Sequence, residues 1–507
     1  MTEKNFDFEN EKEFNELIES SFGELPPDYL TDEVTPWKKA TQRIIWGLAL
    51  CSVTIQLLGL QYILPAAGMI MVLLGFRSLR SENNSFKAGY VISVMRTAVY
   101  MLSIVFDATI YRSTEWGETV NTVLTAFNVI TQLILLICLK HAFIGVKKKV
   151  GLDDGVGGAT ALIVWYFIVA ILALVHYEGI IIPIVILIAY ICIIRSLFTL
   201  SKALNEAGYS VNISIFKMSD RALTVTICSV LAVGILCGYL FFNAYPMKWA
   251  PVEIAESAKI TEIKENLLEL GFPEDILNDI SDEDILECEG AVNVVFLKED
   301  FSSDLESYNN IQYTGKLRFT SVGVKLPDDG EKWRIFHHFE WVEKPWFCGT
   351  DGIQLWPTYR ELGDWYPYGE LRGRVLYDKN GITYTAPYQF LGNETYVGDT
   401  VFWGERESTD VFASFSMPNE GENQRGYVSY GIVPRKTELQ FVNSWVNYTH
   451  QITLFQYPVR SANEYRMYGN DYYNLTFETV QHQFMYIPET NRTDLSDESG
   501  VIYIEEE

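Results

Sequence analysis

Basic side chains are scarce in this chain. It has 39 Lys and Arg against 65 Asp and Glu, a net charge of -26. A nucleic-acid surface needs clustered Lys and Arg against phosphate, so that partner class is excluded. Histidine is rarer still, at 6 residues, and His337, His338, His450 and His482 show no ligand spacing, so no metal or other cofactor is expected. Of 7 cysteines, Cys51, Cys138, Cys192, Cys228 and Cys237 fall in apolar runs, where Cys acts as a small hydrophobe. Only Cys288 and Cys348 lie in polar sequence. A disulfide-stapled scaffold is thereby excluded; one bridge between those two is open if their domain faces an oxidising compartment, and two free thiols are the alternative. No HExxH, GxSxG or GxxxxGK[ST] occurs. The start, MTEKNFDFENEKEF, is acidic, with no apolar core before Ile44. No cleavable leader is expected; the first apolar run should act as the insertion signal.

What is present is concentrated in the middle. Apolar runs lie at about 42–58, 61–77, 89–110, 121–141, 159–177, 179–200 and 222–245. Each approaches the ~20 residues that cross ~30 Å of hydrocarbon. Charge divides the same way. Residues 1–36 carry -9, residues 37–245 carry +7 and residues 246–507 carry -24. Positive flanks mark the cytoplasmic side. Lys38, Lys39 and Arg43 precede the first run, and Arg77, Arg80 and Lys87 follow the second. Both ends being basic requires a hairpin, turning near Gly59 to Gln61. Alternate loops then hold Lys140, Lys147, Lys148 and Lys149, and Arg195, Lys202, Lys217 and Arg221, while the opposite loops hold only Arg112. Fourteen against one predicts seven spans, with the N-terminus cytoplasmic and everything after Tyr245 outside the plasma membrane.

Polar groups within the spans are few. Arg96, Asp107 and Gln132 are the notable intramembrane candidates. Arg96 is expected to snorkel toward the inner rim, and Asp107 to sit in the last outer turn. Gln56, Asn128, Gln132 and His176 read as interhelical hydrogen-bond formers, and Gly234 with Gly238 forms a GxxxG. A transporter built on paired, broken half-helices is not evident.

Ahead of the spans, Phe14, Leu17, Ile18 and Phe22 line one face of a short amphipathic helix with an acidic opposite face. Thr35 and Pro36 read as a helix start. The stretch LPPDYLTDEVTPWKKATQRIIWGLAL, continuing to LGLQYILPAAGMIMVLLGFRSLRSENNSFK, resembles a family of uncharacterised multi-spanning membrane proteins of Firmicutes-type bacteria, over about residues 24–90. That resemblance implies a bacterial plasma membrane and an outer face toward the cell wall. It carries over no activity and no functional residue.

After the spans, TEIKENLLELGFPEDILNDISDEDILECEGA predicts three short helices with a small core, a neck between bundle and domain. From Val292 the period changes to two. KWRIFHHFEWV places Trp333, Ile335, His337, Phe339 and Trp341 on one face and Arg334, Phe336, His338 and Glu340 on the other. GRVLYDKNGITYTA reads as a hairpin turning at Asn-Gly. Repeated short strands predict an antiparallel sandwich or jelly roll. The expected organisation is an acidic cytoplasmic tail at 1–36, a seven-helix transmembrane domain at 37–247, a helical neck at 248–291, a sandwich-like β domain at 292–488 and an acidic tail at 489–507.

The aromatic segment FCGTDGIQLWPTYRELGDWYPYGE carries the candidate ligand site: Trp346, Trp356, Tyr359, Glu361, Asp364, Trp365 and Tyr366. Flat rings with acids at their edge suit sugars, and loops on a rigid sandwich commonly carry sites. The competing reading is that the rings fill the core. Glu361, Asp364 and Glu370 are close in sequence, but a glycosidase needs a through-space separation that sequence spacing cannot supply. The expected function is therefore non-enzymatic: a multi-pass membrane protein displaying an outer β domain toward a cell-envelope glycan or a protein partner. A transporter or its accessory subunit is the alternative, and an envelope hydrolase the third.

Overall fold

The computed structural model describes residues 36–52, 59–152, 155–175, 179, 181–206, 216–252, 257–302, 315–327, 332–356, 365–400, 404–434, 442–454, 456–468 and 476–486. The tail helix at 10–22, Thr35, Gln56, His176, Tyr359, Glu361, Asp364 and the 489–507 tail lie outside these residues. The chain forms two units, one of residues Met1–Val105 and Thr119–Gly234, the other of Phe106–Glu118 and Ile235–Glu507.

The first unit is helical. Its elements are α1 (Pro36–Ser52), α2 (Leu60–Leu79), α3 (Asn84–Phe106), α4 (Glu115–Val150), α5 (Gly157–Leu174), α6 (Ile181–Glu206) and α7 (Asp220–Phe241). Among the described residues, six of these, α2 to α7, are long and apolar enough to cross a membrane. The rest of the first expected span continues past Ser52, beyond what is described. The predicted hairpin is present: Gly59 takes φ +76 just before α2 begins. The two helices then touch backbone to backbone. A Cβ on Gly47 would lie 2.6 Å from the Gly68 carbonyl oxygen, and one on Gly68 2.6 Å from that of Gly47.

Polar ties lock α1 to α6. Trp37 Nε1 donates to the Ser201 carbonyl at 3.2 Å, Thr41 and Ser201 hydroxyls meet at 2.6 Å, and Tyr190 donates to the Leu48 carbonyl at 3.0 Å. Edge-on aromatic contacts join Trp37, Phe86 and Phe143. At one end, Asp220 is shared by Arg43 at 2.6 Å and Arg77 at 3.0 Å. Large apolar side chains such as Phe167, Ile184, Val185 and Val230 remain exposed. In water such a surface would aggregate; in lipid it is at no cost.

The second unit contains twelve strands among the described residues: β1 (Ala250–Pro251), β2 (Asn293–Ser302), β3 (Lys316–Lys325), β4 (Trp333–Glu343), β5 (Asp351–Trp356), β6 (Trp365–Lys379), β7 (Ile382–Ala386), β8 (Phe390–Thr400), β9 (Gly404–Phe415), β10 (Glu422–Pro434), β11 (Val442–Gln451) and β12 (Phe477–Tyr486). They build two antiparallel sheets, ordered β1-β7-β6-β10-β4-β3-β2 and β12-β11-β5-β9-β8. Both contribute to one core, with Phe319, Trp333, Phe339 and Tyr430 from the first and Ile353, Val411, Val446 and Phe484 from the second. The β6–β7 turn holds Asn380 at φ +53 and Gly381 at φ +75, as the Asn-Gly signal requires.

Four helices complete this unit: α8 (Ala258–Glu269), α9 (Glu274–Leu277), α10 (Asp282–Leu286) and α11 (Ala462–Tyr468). The first three are not a free-standing neck. Ile263, Leu267, Ile276 and Ile285 pack on Val294, Val322, Phe336 and Tyr427, so they cover the outer face of the larger sheet. That explains why β4 lacks polar alternation. Its two predicted faces are real, but Arg334, Phe336 and His338 lie under helices and are buried like the core face. Polar groups brought beneath those helices are paired there. Asp284 accepts from Arg334 at 2.8 Å, Ser429 at 2.6 Å and Tyr427 at 2.7 Å. Asp279 meets His338 Nε2 at 2.9 Å and accepts from Arg425 Nε at 2.8 Å.

Candidate functional site

The connection between α3 and α4 belongs to the second unit. After Phe106 the chain makes a short 3-10 turn at Ile110–Ser113, with Asp107 beside Arg112 at 3.5 Å. This turn fits the 456–464 segment of the β unit. Val459 N donates to the Asp107 carbonyl at 2.8 Å, and Arg112 donates to the Val459 carbonyl at 3.1 Å. Ile110 N donates to the Phe242 carbonyl at 2.7 Å, and the Ile110 side chain is buried with Tyr245 and Val459.

Facing it is α11. Its start is a capping box: Glu464 N donates to Ser461 Oγ at 3.1 Å, and Ser461 N donates back to the Glu464 carboxylate at 3.0 Å. The same carboxylate accepts from Ser113 Oγ. Asn463 Nδ2 donates to Ser414 Oγ at 2.6 Å, and Ala462 N to Thr350 Oγ1 at 3.1 Å, which fixes the helix on β5 and β9.

Between turn and helix lies a cleft of about 570 Å³. Its rings are Tyr111, Trp116, Tyr245, Phe390 and Tyr468; its carboxylates are Glu118, Glu394 and Glu464; hydroxyls and amides come from Ser113, Thr114, Gln389, Ser414, Ser461 and Asn463. No Lys, Arg or His lines it among the described residues. Three carboxylates in its lining suit a cationic group, and its size suits a small-molecule or short-oligomer ligand. Tyr245 remains a hydrogen-bond donor. Burial pushes its hydroxyl up to about 12, the Ser461 bond opposing and the Glu464 charge adding to the shift. Glu464 is held by its cap and by Ser113, so it shapes the cleft rather than standing free as a catalytic acid.

The sequence candidates fall elsewhere. Trp346 is 70% exposed and leans on Phe347. Trp356 is half-buried at the end of β5, opposite Trp445. Trp365 and Tyr366 open β6, opposite Pro434 and Val433. Tyr359, Glu361 and Asp364 are not among the described residues. Neighbouring rings, Phe339 and Trp341, do fill the core. Cys288 and Cys348 are free thiols, not a bridge. Cys288 packs under the helices, and Cys348 donates to Gln424 Oε1 at 3.9 Å. Burial pushes the first up to about 12 and the second to about 11.

The histidines keep separate partners. His337 lies between Ser321 at 2.6 Å and Ser444 at 2.7 Å. His450 meets Asp351 at 2.7 Å, and His482 meets Glu299 at 2.7 Å. No cluster able to hold a metal occurs among the described residues.

In the helical unit, Arg96 is buried. It lies twelve residues into α3 and ten short of its end, about 18 and 15 Å along the axis, and is 4% exposed. Gln132 is equally buried, and its Oε1, like the Asn128 Oδ1, has no hydrogen-bond partner among the described residues. The GxxxG is used for packing: a Cβ on Gly234 would lie 2.7 Å from Val105 Cγ2, and one on Gly238 2.9 Å from the Ala108 carbonyl oxygen. The cleft went unseen in sequence because it joins segments about 350 positions apart. Its one local signal is Ser-Ala-Asn-Glu at 461–464, which spells a capping box.

No family model matches this chain, and no curated protein matches it.

Proposed function

We propose that this is a seven-span plasma-membrane protein whose β unit lies outside the cytoplasm and binds an amino-bearing cell-envelope glycan in the cleft beside α11. The observation that carries the reading is the composition of that cleft: five rings, three carboxylates and, among the described residues, no basic group. Sugar faces stack on aromatic rings, and ammonium groups are drawn to carboxylates and to ring faces. Ser113 and Glu464 tie its two walls together. One wall is continuous with α3 and α4, so occupancy bears directly on the ends of two membrane helices.

The orientation rests on two supports. One is the bias of fourteen basic residues to one among the inter-span segments. The other is the bond between Ile110 and Phe242. Four membrane-length helices, α4 to α7, lie between those residues, and an even number of crossings returns a chain to the side it left. The loop with one basic residue and the start of the β unit therefore share a side. A second reading, a transporter or its accessory subunit, is favoured by the buried polar groups on α3 and α4.

A Trp346→Cys variant tests the orientation. Cys288 and Cys348 are buried, and the other five cysteines lie in apolar sequence. Labelling of intact cells by a membrane-impermeant maleimide is expected; labelling only after permeabilisation would overturn the topology. Binding is tested with Glu394→Gln and Trp116→Ala, which should each weaken capture by a partly de-acetylated envelope glycan. Equal capture by wild type and both variants would exclude this cleft.

A further inference from the structure

Arg96 raises a question that the cleft does not answer. Among the apolar runs only 89–110 holds a carboxylate, Asp107, eleven residues beyond Arg96 and so about 16 Å along the axis. Among the described residues no carboxylate is paired with Arg96. It is 4% exposed, and its Nε has no hydrogen-bond partner among the described residues. The other ionisable groups within electrostatic reach are the Cys51 thiol of α1 and the Tyr166 hydroxyl of α5. Neither carries negative charge in its ordinary protonated form.

An arginine held at the centre of a membrane helix is among the costliest residues to place there, and it is normally paired or functional. Snorkelling does not relieve it, because the side chain is enclosed by the bundle. A lipid phosphate does not relieve it either. Phosphates lie at the rims, about 15 Å from the middle of the hydrocarbon. What fits a planar, five-donor fork is a planar acceptor of opposite charge.

We propose that Arg96 is the anchor of an anion-binding site inside the helical unit, taking a small carboxylate from solution through its guanidinium fork. This goes beyond the reading of the β unit and does not depend on it.

The test uses full-length protein in phosphatidylcholine nanodiscs, melted while sodium acetate replaces sodium chloride at constant ionic strength. Acetate is expected to raise the melting temperature of wild type and of R195Q, whose arginine is exposed on α6. R96Q should lose the response. R96K keeps charge but not the fork, and should need about tenfold more acetate for the same rise. No rise in wild type, or an equal rise in R96Q, overturns the site. If R96Q does not fold, an acetate response of R96K equal to wild type overturns it instead. In phosphatidylglycerol discs the response should persist; its disappearance there would assign Arg96 to a lipid phosphate and refute the free-anion assignment.

Discussion

Asp284 offers the sharpest test of how the helices are held on the larger sheet. Its side chain and that of Arg334 are each 1% exposed, 2.8 Å apart. Tyr427 and Ser429 donate to the same carboxylate, and Ser281 Oγ contacts it at 3.1 Å. Asp284→Asn keeps the shape but removes the charge, leaving the Arg334 guanidinium buried and uncompensated. Breaking such a pair from one side costs about 3–5 kcal/mol. For a unit of this size that is a fall in melting temperature of roughly 6–20 °C, at about 2–4 °C per kcal/mol. The double variant Asp284→Leu, Arg334→Met removes both charges and should recover most of the loss, because desolvating the pair already consumes much of its attraction. Urea titration in mild detergent, followed by intrinsic fluorescence, reads the β unit through the buried Trp333 and Trp341. Two results would refute the reasoning: a single variant within about 1 kcal/mol of wild type, or a double variant as unstable as the two singles summed.

Acid should weaken the β unit, and the sign follows from His337. Burial depresses its pKa well below 6.5, with the charge on His482 acting the same way, so its neutral form contributes stability above about pH 6.5 that is lost as pH falls. Asp279 adds to this at lower pH, since its bonds and charge contacts with His338 and Arg425 outweigh burial and hold its carboxyl below the usual range. His337→Gln should flatten the pH dependence of the urea midpoint below 6.5; an unchanged slope would exclude that histidine. In the helical unit, Gly68→Val should force α1 and α2 apart, since its added carbons enter the space of the Gly47 carbonyl, and a loss of about 1–3 kcal/mol is expected from thermal melting in detergent.

Legibility from sequence followed how local each determinant is. Helices α2 to α7 were plain because a membrane helix satisfies its own backbone and needs only apolar length. The Asn380–Gly381 turn and the two faces of β4 were equally local. The burial of the second face was not. Arg334 and His338 look like solvent-facing residues until Asp284, from a helix, and Asp279, from the turn before it, arrive from 50 and 59 positions earlier. The order of the strands is also non-local, since β10 inserts between β4 and β6. Aromatic density singles out the candidate ligand residues, yet density marks core as readily as site: Phe339 and Trp341 are interior, and Trp346 is exposed. The cleft residues, by contrast, are individually ordinary.

The bonds from Ile110 to Phe242 and from Val459 to Asp107 have a mechanical consequence. A sandwich hung from one strand would swivel like a pendant, and whatever seized it would feel only slack. Here the chain passes between the two units three times, at 105–106, 118–119 and 234–235. Force on the second unit is thereby shared among several covalent joints, a load path that a lone tether could not provide.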